Sequence, residues 1–211
     1  MDTLECIQKR RSVRRFLDIP VEMEKLGNIL DAGRLAPSAG NLQNWGFIIV
    51  RDPANRQAVA EACARQMWVA AAPVIIVVCE QTVKGKKFYG ERAEKLYNIQ
   101  NCAAAAQNMI LAATAQDLGS CWIGAFDEEL LSKACGIPDE AKPLVMIAIG
   151  YAAEKPKTPS KHLLEKIAFL EKYGNRIADI DAVLGYTSQH VRKGIAKAKD
   201  IAKKAHKKLK Q

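Results

Sequence analysis

The sequence predicts an α/β or α+β domain in which helices cover a β-sheet. Three short apolar runs rich in β-branched residues predict buried strands, at Phe47–Val50, Val74–Val78 and Leu144–Ile149. Helical patterns separate these runs, and the longest contains the alanine-rich stretch NCAAAAQNMILAATAQ. The chain has 211 residues, of which 49% are apolar and 26% charged, so it is long enough to bury a core.

Caps, prolines and apolar spacing predict the helices in order. A short first helix carries Leu4 and Ile7, with Asp2 at its N-cap. Further helices are predicted at about 20–35, 53–71, 90–118, 127–134 and 163–173. Gly119 is the predicted C-cap of the long helix, and a strand-like piece, SCWIGAF, follows it at residues 120–126.

The positive charge is concentrated in a tail, residues 186–211. Nine basic residues face one acidic residue there, so the tail carries +8 of the net charge of +9. Apolar residues recur at helical spacing in the tail, which predicts a basic helix with a narrow apolar stripe. A protein that binds nucleic acid or an acidic partner through this tail is an alternative function. Its single aromatic residue, Tyr186, gives little support for base stacking, so nucleic acid is disfavoured.

The composition also bears on the cellular location of the protein and on metal binding. No apolar run reaches the roughly 20 residues that span a bilayer, and the amino terminus lacks an apolar signal core. Six scattered cysteines without a CxxC pair predict reduced thiols, and the protein is therefore expected in the cytoplasm. The three histidines all follow the last cysteine and share no i, i+4 spacing, so no metal site is predicted.

The most chemically suggestive stretch is RRSVRRF, residues 10–16, called the arginine segment below. Its four arginines offer planar forks of donors that fit phosphate, and Ser12 adds a hydroxyl donor. Phe16 is a candidate apolar anchor that would hold the segment against a core. A fixed anion site is the functional interpretation, and a solvated basic turn is the alternative.

Two further places combine unusual backbone with polar groups. The loop PSAGNLQ, residues 37–43, lies between apolar elements and offers amide donors and acceptors that suit a heterocycle. A simple hydrogen-bonded turn is the alternative. Gly124, between Ile123 and Ala125, would let a ligand approach the backbone, or would mark a bulge or strand end.

The order of these motifs resembles the nitroreductase-like flavoprotein family. RRSVRRF is followed some twenty residues later by APSAGNLQNW, then by the QNMILAA helix, LGSCWIGAF and LVMIAIGYAAEKP. The resemblance covers roughly residues 3–170. It implies an α+β fold with a central, mostly antiparallel sheet covered by helices, and an intertwined homodimer with FMN at the interface. Residues 1–174 would form the FMN-binding domain and residues 175–211 a basic helical extension.

The resemblance also implies roles for individual residues. Four residues of the arginine segment match the family's phosphate site: Arg10, Arg11, Ser12 and Arg14. Four loop residues match those that meet the isoalloxazine ring, several of them from the partner subunit: Pro37, Ser38, Asn41 and Gln43. The backbone of Gly124 and Ala125 matches the place where a peptide N–H approaches the hydride-accepting nitrogen. Lys161 matches a late basic position near the phosphate, and Asn44 departs from the family's usual proline.

The implied activity is that of an FMN-dependent oxidoreductase. It would take hydride from NADH or NADPH and reduce a small electron-poor acceptor, such as a nitro compound, quinone or enone. The flavin supplies this chemistry, so no catalytic side chain is named. A flavin-fragmenting or reductively dehalogenating relative is the alternative within the fold. The stretch from Lys84 to Arg92 is a candidate lid or else a solvated basic loop.

Overall fold

The computed structural model describes residues 1–64 and 66–184, so the predicted tail helix lies outside the described residues. The chain divides into two compact units, Met1–Thr158 and a second unit that begins at Pro159. The domain boundary predicted at residue 174 stays a prediction. Within the described part of the chain, no helix combines the length and the apolar character that crossing a membrane requires.

Four strands form one antiparallel sheet in the first unit. The strands are β1 (Trp45–Val50), β2 (Val74–Gln81), β3 (Gly119–Ile123) and β4 (Ala141–Gly150). Their spatial order is β1-β2-β4-β3, so β1 and β3 are the two edges. The arrangement confirms the predicted α+β class with an antiparallel sheet.

Six helices of the first unit surround this sheet: α1 (Thr3–Lys9), α2 (Met23–Arg34), α3 (Pro53–Ala62), α4 (Thr82–Tyr89), α5 (Asn98–Ala115) and α6 (Glu128–Cys135). Single turns of 3₁₀-helix lie at Ala39–Asn41 and Met67–Val69, and a turn of π-helix lies at Ala93–Tyr97. The described part of the second unit contains α7 (Leu164–Ile167) and α8 (Ile180–Leu184).

Alternate positions of β2 face two different cores, because successive side chains of a strand point to opposite sides. The core shared with α2 and α5 contains Val74, Ile76 and Val78. The core shared with α3 and α6 contains Ile75 and Val77. Covering on both faces explains why β2 is a continuous apolar run rather than an alternating one.

The N-cap predicted at Asp2 is confirmed, and Asp52 and Asp127 cap α3 and α6 in the same way. Asp2, Asp52 and Asp127 each accept a hydrogen bond from the backbone N–H three residues later, at 2.8, 3.0 and 2.9 Å. Gly136 follows α6 with a φ of 63°, the left-handed conformation that glycine adopts without a Cβ clash.

The predicted end of the long helix is wrong. α5 begins at Asn98 and ends at Ala115, and Asp117 rather than Gly119 takes the left-handed conformation, with a φ of 61°. Aspartate tolerates this conformation better than most residues. Gly119 instead opens β3, where its missing side chain makes room for Val13. The predicted start near residue 90 is confirmed in substance, because residues 91–97 are helical, with a π-helical turn at Ala93–Tyr97 that runs directly into α5. Gly90, with a φ of 56°, separates them from α4.

Other predicted boundaries are also wrong. α2 starts at Met23 rather than Pro20, and α3 ends at Ala62, because Ala64 has a φ of 52°. β3 ends at Ile123, three residues early, where the chain turns toward α6. The helix predicted over residues 163–173 is confined to Leu164–Ile167, because Phe169 forms a bridge with Arg176. Pairing between residues seven positions apart overrides helix propensity there.

Replacing Gly119 by alanine is expected to destabilise the protein. An added Cβ would stand 3.0–3.1 Å from side-chain atoms of buried Val13, so the neighbour would have to move. We expect Gly119→Ala to lower the free energy of unfolding by about 1–3 kcal/mol. Gly27→Ala is the matched control, since that helical position has nothing within 4 Å and should gain about 0.5–1 kcal/mol. Urea unfolding of both variants measures this, and equal shifts would contradict it.

Candidate functional site

The arginine segment lies alongside the edge strand β3. The backbone N–H of Val13 donates to the carbonyl of Ser120 at 2.9 Å, and Ser12 forms a parallel bridge with Ser120. Phe16 forms an antiparallel bridge with Ala152, after the end of β4, and is half-buried against the core beside α3 and α6. The segment is therefore fixed in place, and Phe16 acts as the predicted anchor.

Glu154 holds the middle of the arginine segment. Its Oε1 accepts hydrogen bonds from the backbone N–H groups of Arg14 and Arg15, at 2.7 and 3.0 Å. The hydrogen bond from Arg14 is the main cause that lowers the pKa of the Glu154 carboxyl, and the nearby arginine charges add to it. The carboxylate thus binds the backbone of the segment, an interaction that sequence reasoning missed.

The arginine side chains have different surroundings. Arg11 donates from Nη1 to the carbonyls of Gln8 and Arg10 at 2.7 and 2.8 Å, and from Nη2 to Thr158 Oγ1 at 2.7 Å. Arg14 lies over the ring of Trp68, with its guanidinium carbon 5.7 Å from the ring centroid. Among the described residues, Arg10 and Arg14 form no ion pair with a carboxylate within 4.0 Å. Their donors are therefore available to an anion, whereas those of Arg11 are already engaged.

The thiol of Cys121 on β3 lies within reach of the charges of the arginine segment. Burial raises its pKa, and the positive charges of Arg14 and Arg10 oppose that rise, whereas the charge of Glu154 adds to it. Arginine charges without a carboxylate partner beside β3 are of the kind that an anion site requires.

Ser120 lies directly beside the arginine segment, because it forms the bridge with Ser12. Its hydroxyl is buried and has no hydrogen-bond partner among the described residues. Buried hydroxyls in folded proteins are nearly always paired, so an unpaired one next to this segment points to a missing acceptor. Hydroxyl and guanidinium donors are the groups that fit the phosphate of FMN. Apart from its place in SCWIGAF, nothing in the sequence pointed to Ser120.

Gly124 and Ala125 are exposed directly after β3 ends. Four residues of extended chain separate Gly124 from Ser120, which is roughly 13 Å. The two backbone positions are therefore reachable by a ligand that starts at the arginine segment and extends along this edge. Lys161 is exposed in the second unit, and its predicted phosphate contact stays a prediction.

The 37–43 loop has an unusual, internally bonded backbone. Gly40, Asn41 and Gln43 have φ values of 54°, 54° and 50°, which for the last two is an unfavourable conformation. The backbone N–H of Gln43 donates to Ser38 Oγ at 3.0 Å, and Gln43 Nε2 donates to Asn41 Oδ1 at 3.1 Å. Pro37, Asn41 and Gln43 are exposed and Ser38 is half-buried, so the loop is preformed with its amides at the surface.

Three buried asparagines, Asn44, Asn98 and Asn101, stand behind this loop and are called the amide cluster below. Asn101 Oδ1 accepts from the backbone N–H of Ala39 at 2.9 Å, and Asn101 Nδ2 donates to Asn44 Oδ1 at 2.7 Å. Asn44 Nδ2 donates to Asn98 Oδ1 at 2.6 Å. The residue that departs from the family pattern is therefore the centre of a hydrogen-bond chain. Two amides three residues apart on an alanine-rich helix were an available sequence signal for this cluster.

The candidate lid is largely helical. Most of Lys84–Arg92 belongs to α4, and the hydroxyl of Tyr89 occupies the space where a Cβ on Gly40 would stand. Gly85 packs in the same way against the side-chain amide of Asn98. α4 therefore rests on both the 37–43 loop and the amide cluster, which a solvated basic loop would not do.

The sheet order separates the two halves of the predicted site. The arginine segment and Gly124 lie at the β3 edge, whereas the 37–43 loop leads into β1 at the opposite edge. Three strand spacings separate the edges, which is roughly 14 Å. One chain therefore brings the phosphate residues together with β3 and the ring residues together with α4 and α5, but it does not join the two groups.

Comparison with known proteins decides the family. A model described as "Nitroreductase family" matches residues 7–72 and 65–151, which together make up well over half of the chain. The chain belongs to the nitroreductase family. The family predicted from the arginine segment and the 37–43 loop is thereby confirmed.

Individual members of the nitroreductase family support the same assignment. A Methanothermobacter thermautotrophicus protein named "Putative NADH dehydrogenase/NAD(P)H nitroreductase" is 34% identical, covering 79% of this chain and 88% of its own. The Bacillus subtilis protein named FMN reductase (NADPH) is 26% identical, covering 76% and 71%. A crystal structure with the former name, from Bacteroides thetaiotaomicron, has a TM-score of 0.72 at 32% identity, covering 81% and 98%. The nitroreductase fold is confirmed.

Replacing Glu154 by glutamine is expected to change how stability depends on pH. Because the pKa of this carboxyl is lowered from its usual 4.5, the ionised form stabilises the folded state above pH 4.5. That contribution declines as the pH falls below 4.5 through the lowered pKa. Wild type should therefore be more stable than Glu154→Gln at pH 7, with a difference that shrinks toward pH 3.

Urea unfolding at a series of pH values measures this difference. Glu61→Gln, at an exposed position on α3, is the control for a general charge effect. A wild-type advantage over Glu154→Gln that stays constant from pH 7 to pH 3 would show that the carboxylate does not hold the segment.

Proposed function

We propose that the protein is an NAD(P)H-dependent flavin oxidoreductase that binds FMN at the β3 edge of the sheet. The observation that carries the proposal is the arginine segment held against β3, where Ser12 forms a bridge with Ser120, whose buried hydroxyl has no partner among the described residues. Relatives named NAD(P)H nitroreductase and FMN reductase (NADPH) support the same cofactor pair.

The chain's own residues bind and orient the cofactor. FMN, when bound, supplies the redox chemistry by taking hydride from NADH or NADPH and passing electrons to the acceptor. Arg10 and Arg14 offset the roughly two negative charges of the phosphate. Ser12 and Ser120 donate hydrogen bonds to its oxygens, while Arg11 supports the segment through Thr158 and adds charge.

Further residues contact the ribityl chain and ring. Gly124 and Ala125 offer peptide N–H groups at the exposed end of β3. Lys161 is kept as a further proposed phosphate contact, because it matches the family's late basic position. Four loop residues meet the ring: Pro37, Ser38, Asn41 and Gln43. No side chain is proposed as a general acid or base, because hydride transfer through a flavin needs none from the protein.

The ring contacts come from a second copy of the chain, so the functional unit is a homodimer. The support is the sheet order, which separates the arginine segment from the 37–43 loop of the same chain by roughly 14 Å. Large apolar side chains exposed on α1, after α2 and on α5 support such an association: Leu4, Ile7, Leu35 and Ile99. Burying them between two copies would remove apolar area from water.

The proposed acceptor is a small electron-poor organic molecule, namely a nitro compound, quinone or enone. The names of the relatives support a nitro compound among these. Exposed Phe88 on α4, a helix that contacts the 37–43 loop, gives an apolar surface for a planar acceptor. Six free cysteines support a reducing compartment, and we propose the cytoplasm.

The activity is tested by absorbance of the purified protein. We expect flavin bands that bleach on anaerobic addition of NADH or NADPH and return on addition of a nitroaromatic or quinone. The flavin released afterwards by denaturation should be intact FMN. A protein that binds no flavin when FMN is added would contradict the proposal, and a flavin consumed during turnover would instead favour a flavin-fragmenting relative.

The shared site is tested by complementation between two defective chains. One chain carries Ser12→Ala with Arg14→Ala, and the other carries Asn41→Asp with Gln43→Glu. Each alone should lose FMN, because each loses hydrogen bonds to it. When the two chains are co-expressed in equal amounts, half of the dimers contain one chain of each kind. Each of these mixed dimers has one unaltered site, which combines the phosphate residues of one chain with the loop of the other. We expect about one site in four to bind FMN.

The matched control mixes two chains altered in the same half, Arg10→Ala and the Ser12→Ala, Arg14→Ala chain. This mixture should recover no FMN binding beyond the average of its parents. If the first mixture behaves like this control, the phosphate and ring contacts come from one chain, and the shared site is wrong.

A further inference from the structure

The amide cluster has no role in the chemistry proposed above, yet it ends inside the candidate ring site. Its three members are almost completely buried, with exposed fractions of 0%, 0% and 4% for Asn44, Asn98 and Asn101. Burying amide groups costs free energy unless each is paired. A chain of three buried amides bonded to one another therefore needs an explanation beyond packing.

The hydrogen bonds are donated in one direction, from the loop through Asn101 and Asn44 to Asn98. Asn98 accepts from Asn44, Asn44 accepts from Asn101, and Asn101 accepts from the backbone N–H of Ala39. Asn44 is bonded to Asn98 and Asn101 of α5 and directly precedes β1, so it links that helix to the sheet. Ala39 lies next to Ser38 and two residues before Asn41, both of which are proposed ring contacts.

The backbone of the loop needs this support. Asn41 and Gln43 have positive φ values, which non-glycine residues keep only when surrounding contacts hold them. The loop's own bonds join Ser38, Asn41 and Gln43 to one another, so they set its shape but not its position. The bond from Ala39 to Asn101 is the one that connects the loop to a buried helix.

We propose that Asn44 is a positioning residue of the flavin site, which sets the place of the 37–43 loop through Asn101. The proposal rests on the proposed function, because it assumes that this loop meets the isoalloxazine ring. This positioning role differs from a purely structural role because it affects the binding of the flavin ring. A displaced loop weakens contacts to the ring, while the phosphate residues at the β3 edge keep theirs.

Asn98 makes it possible to separate the positioning role of Asn44 from a purely structural role. Its Nδ2 is buried and has no hydrogen-bond partner among the described residues. In Asn44→Asp, the new carboxylate keeps an acceptor for Asn101, and Asn98 can rotate its amide to donate Nδ2 to the other oxygen. Asn44→Leu has a similar volume but leaves Asn101 Nδ2 and Asn98 Oδ1 unpaired.

The experiment measures the Kd of FMN and of riboflavin, the flavin absorbance spectrum and the Tm of the flavin-free protein. Wild type is compared with Asn44→Leu, Asn44→Asp and the control Asn108→Leu. Asn108 lies on the same helix and donates from Nδ2 to the carbonyl of Ala32 at 3.1 Å, outside the cluster. Asn98→Ala, which spares the bond to Ala39, is a milder variant that serves if Asn44→Leu does not fold.

We expect Asn44→Leu to raise both Kd values at least tenfold and by the same factor, because FMN and riboflavin share the ring. Its flavin bands should lose resolved structure. Asn44→Asp should recover most of the affinity, and Asn98→Ala should shift both Kd values a few-fold in the same direction. Asn108→Leu should lower the Tm without changing either Kd.

Other results overturn the proposal. Unchanged Kd values in Asn44→Leu, or a loss confined to FMN, would show that Asn44 does not position the ring contacts. A loss in Asn108→Leu that equals the loss in Asn44→Leu would assign the effect to general destabilisation. If wild type itself binds neither flavin, the proposed function fails as well, and this outcome is distinct from the others.

Discussion

The structure depends on the pairing of the arginine segment with the edge strand β3. One backbone hydrogen bond, from Val13 to Ser120, fixes the register, and Gly119 leaves the space that Val13 fills. Glu154 then takes the backbone donors of Arg14 and Arg15. Because the backbone groups are satisfied within the protein, the guanidinium groups of Arg10 and Arg14 are left for an external anion. A mobile loop with the same residues would lose conformational entropy on binding, which this fixed segment does not.

The order of the strands determines what one chain can and cannot build. A sheet with the order β1-β2-β4-β3 keeps the sequence-adjacent loop before β1 away from β3, whatever the side chains are. The proposed anion site and the 37–43 loop are each held in place by hydrogen bonds within one chain. Two such proposed half-sites at opposite edges are what a two-fold dimer can join into two complete sites. The strand order therefore supports the homodimer proposed above.

Strands, caps and motifs were predictable from the sequence because they depend on neighbours along the chain. The buried run Val74–Val78 and the aspartate caps are examples. Features that depend on distant residues were not predictable. Gly119 reads as a helix cap, but its size is set by Val13, more than one hundred residues earlier. Asn44 reads as a missing proline, but its neighbours on α5 make it the centre of the amide cluster. The different surroundings of Arg11 and Arg14 likewise depend on Thr158 and Trp68.

A crystal structure of the protein grown with FMN would decide whether the flavin binds where we propose. We expect phosphate density against Arg10, Ser12, Arg14 and Ser120 of one chain. We also expect ring density along Gly124 of that chain and against the 37–43 loop of its two-fold mate. Flavin density that leaves the arginine segment facing solvent, or that meets the loop of the same chain, would contradict the proposal.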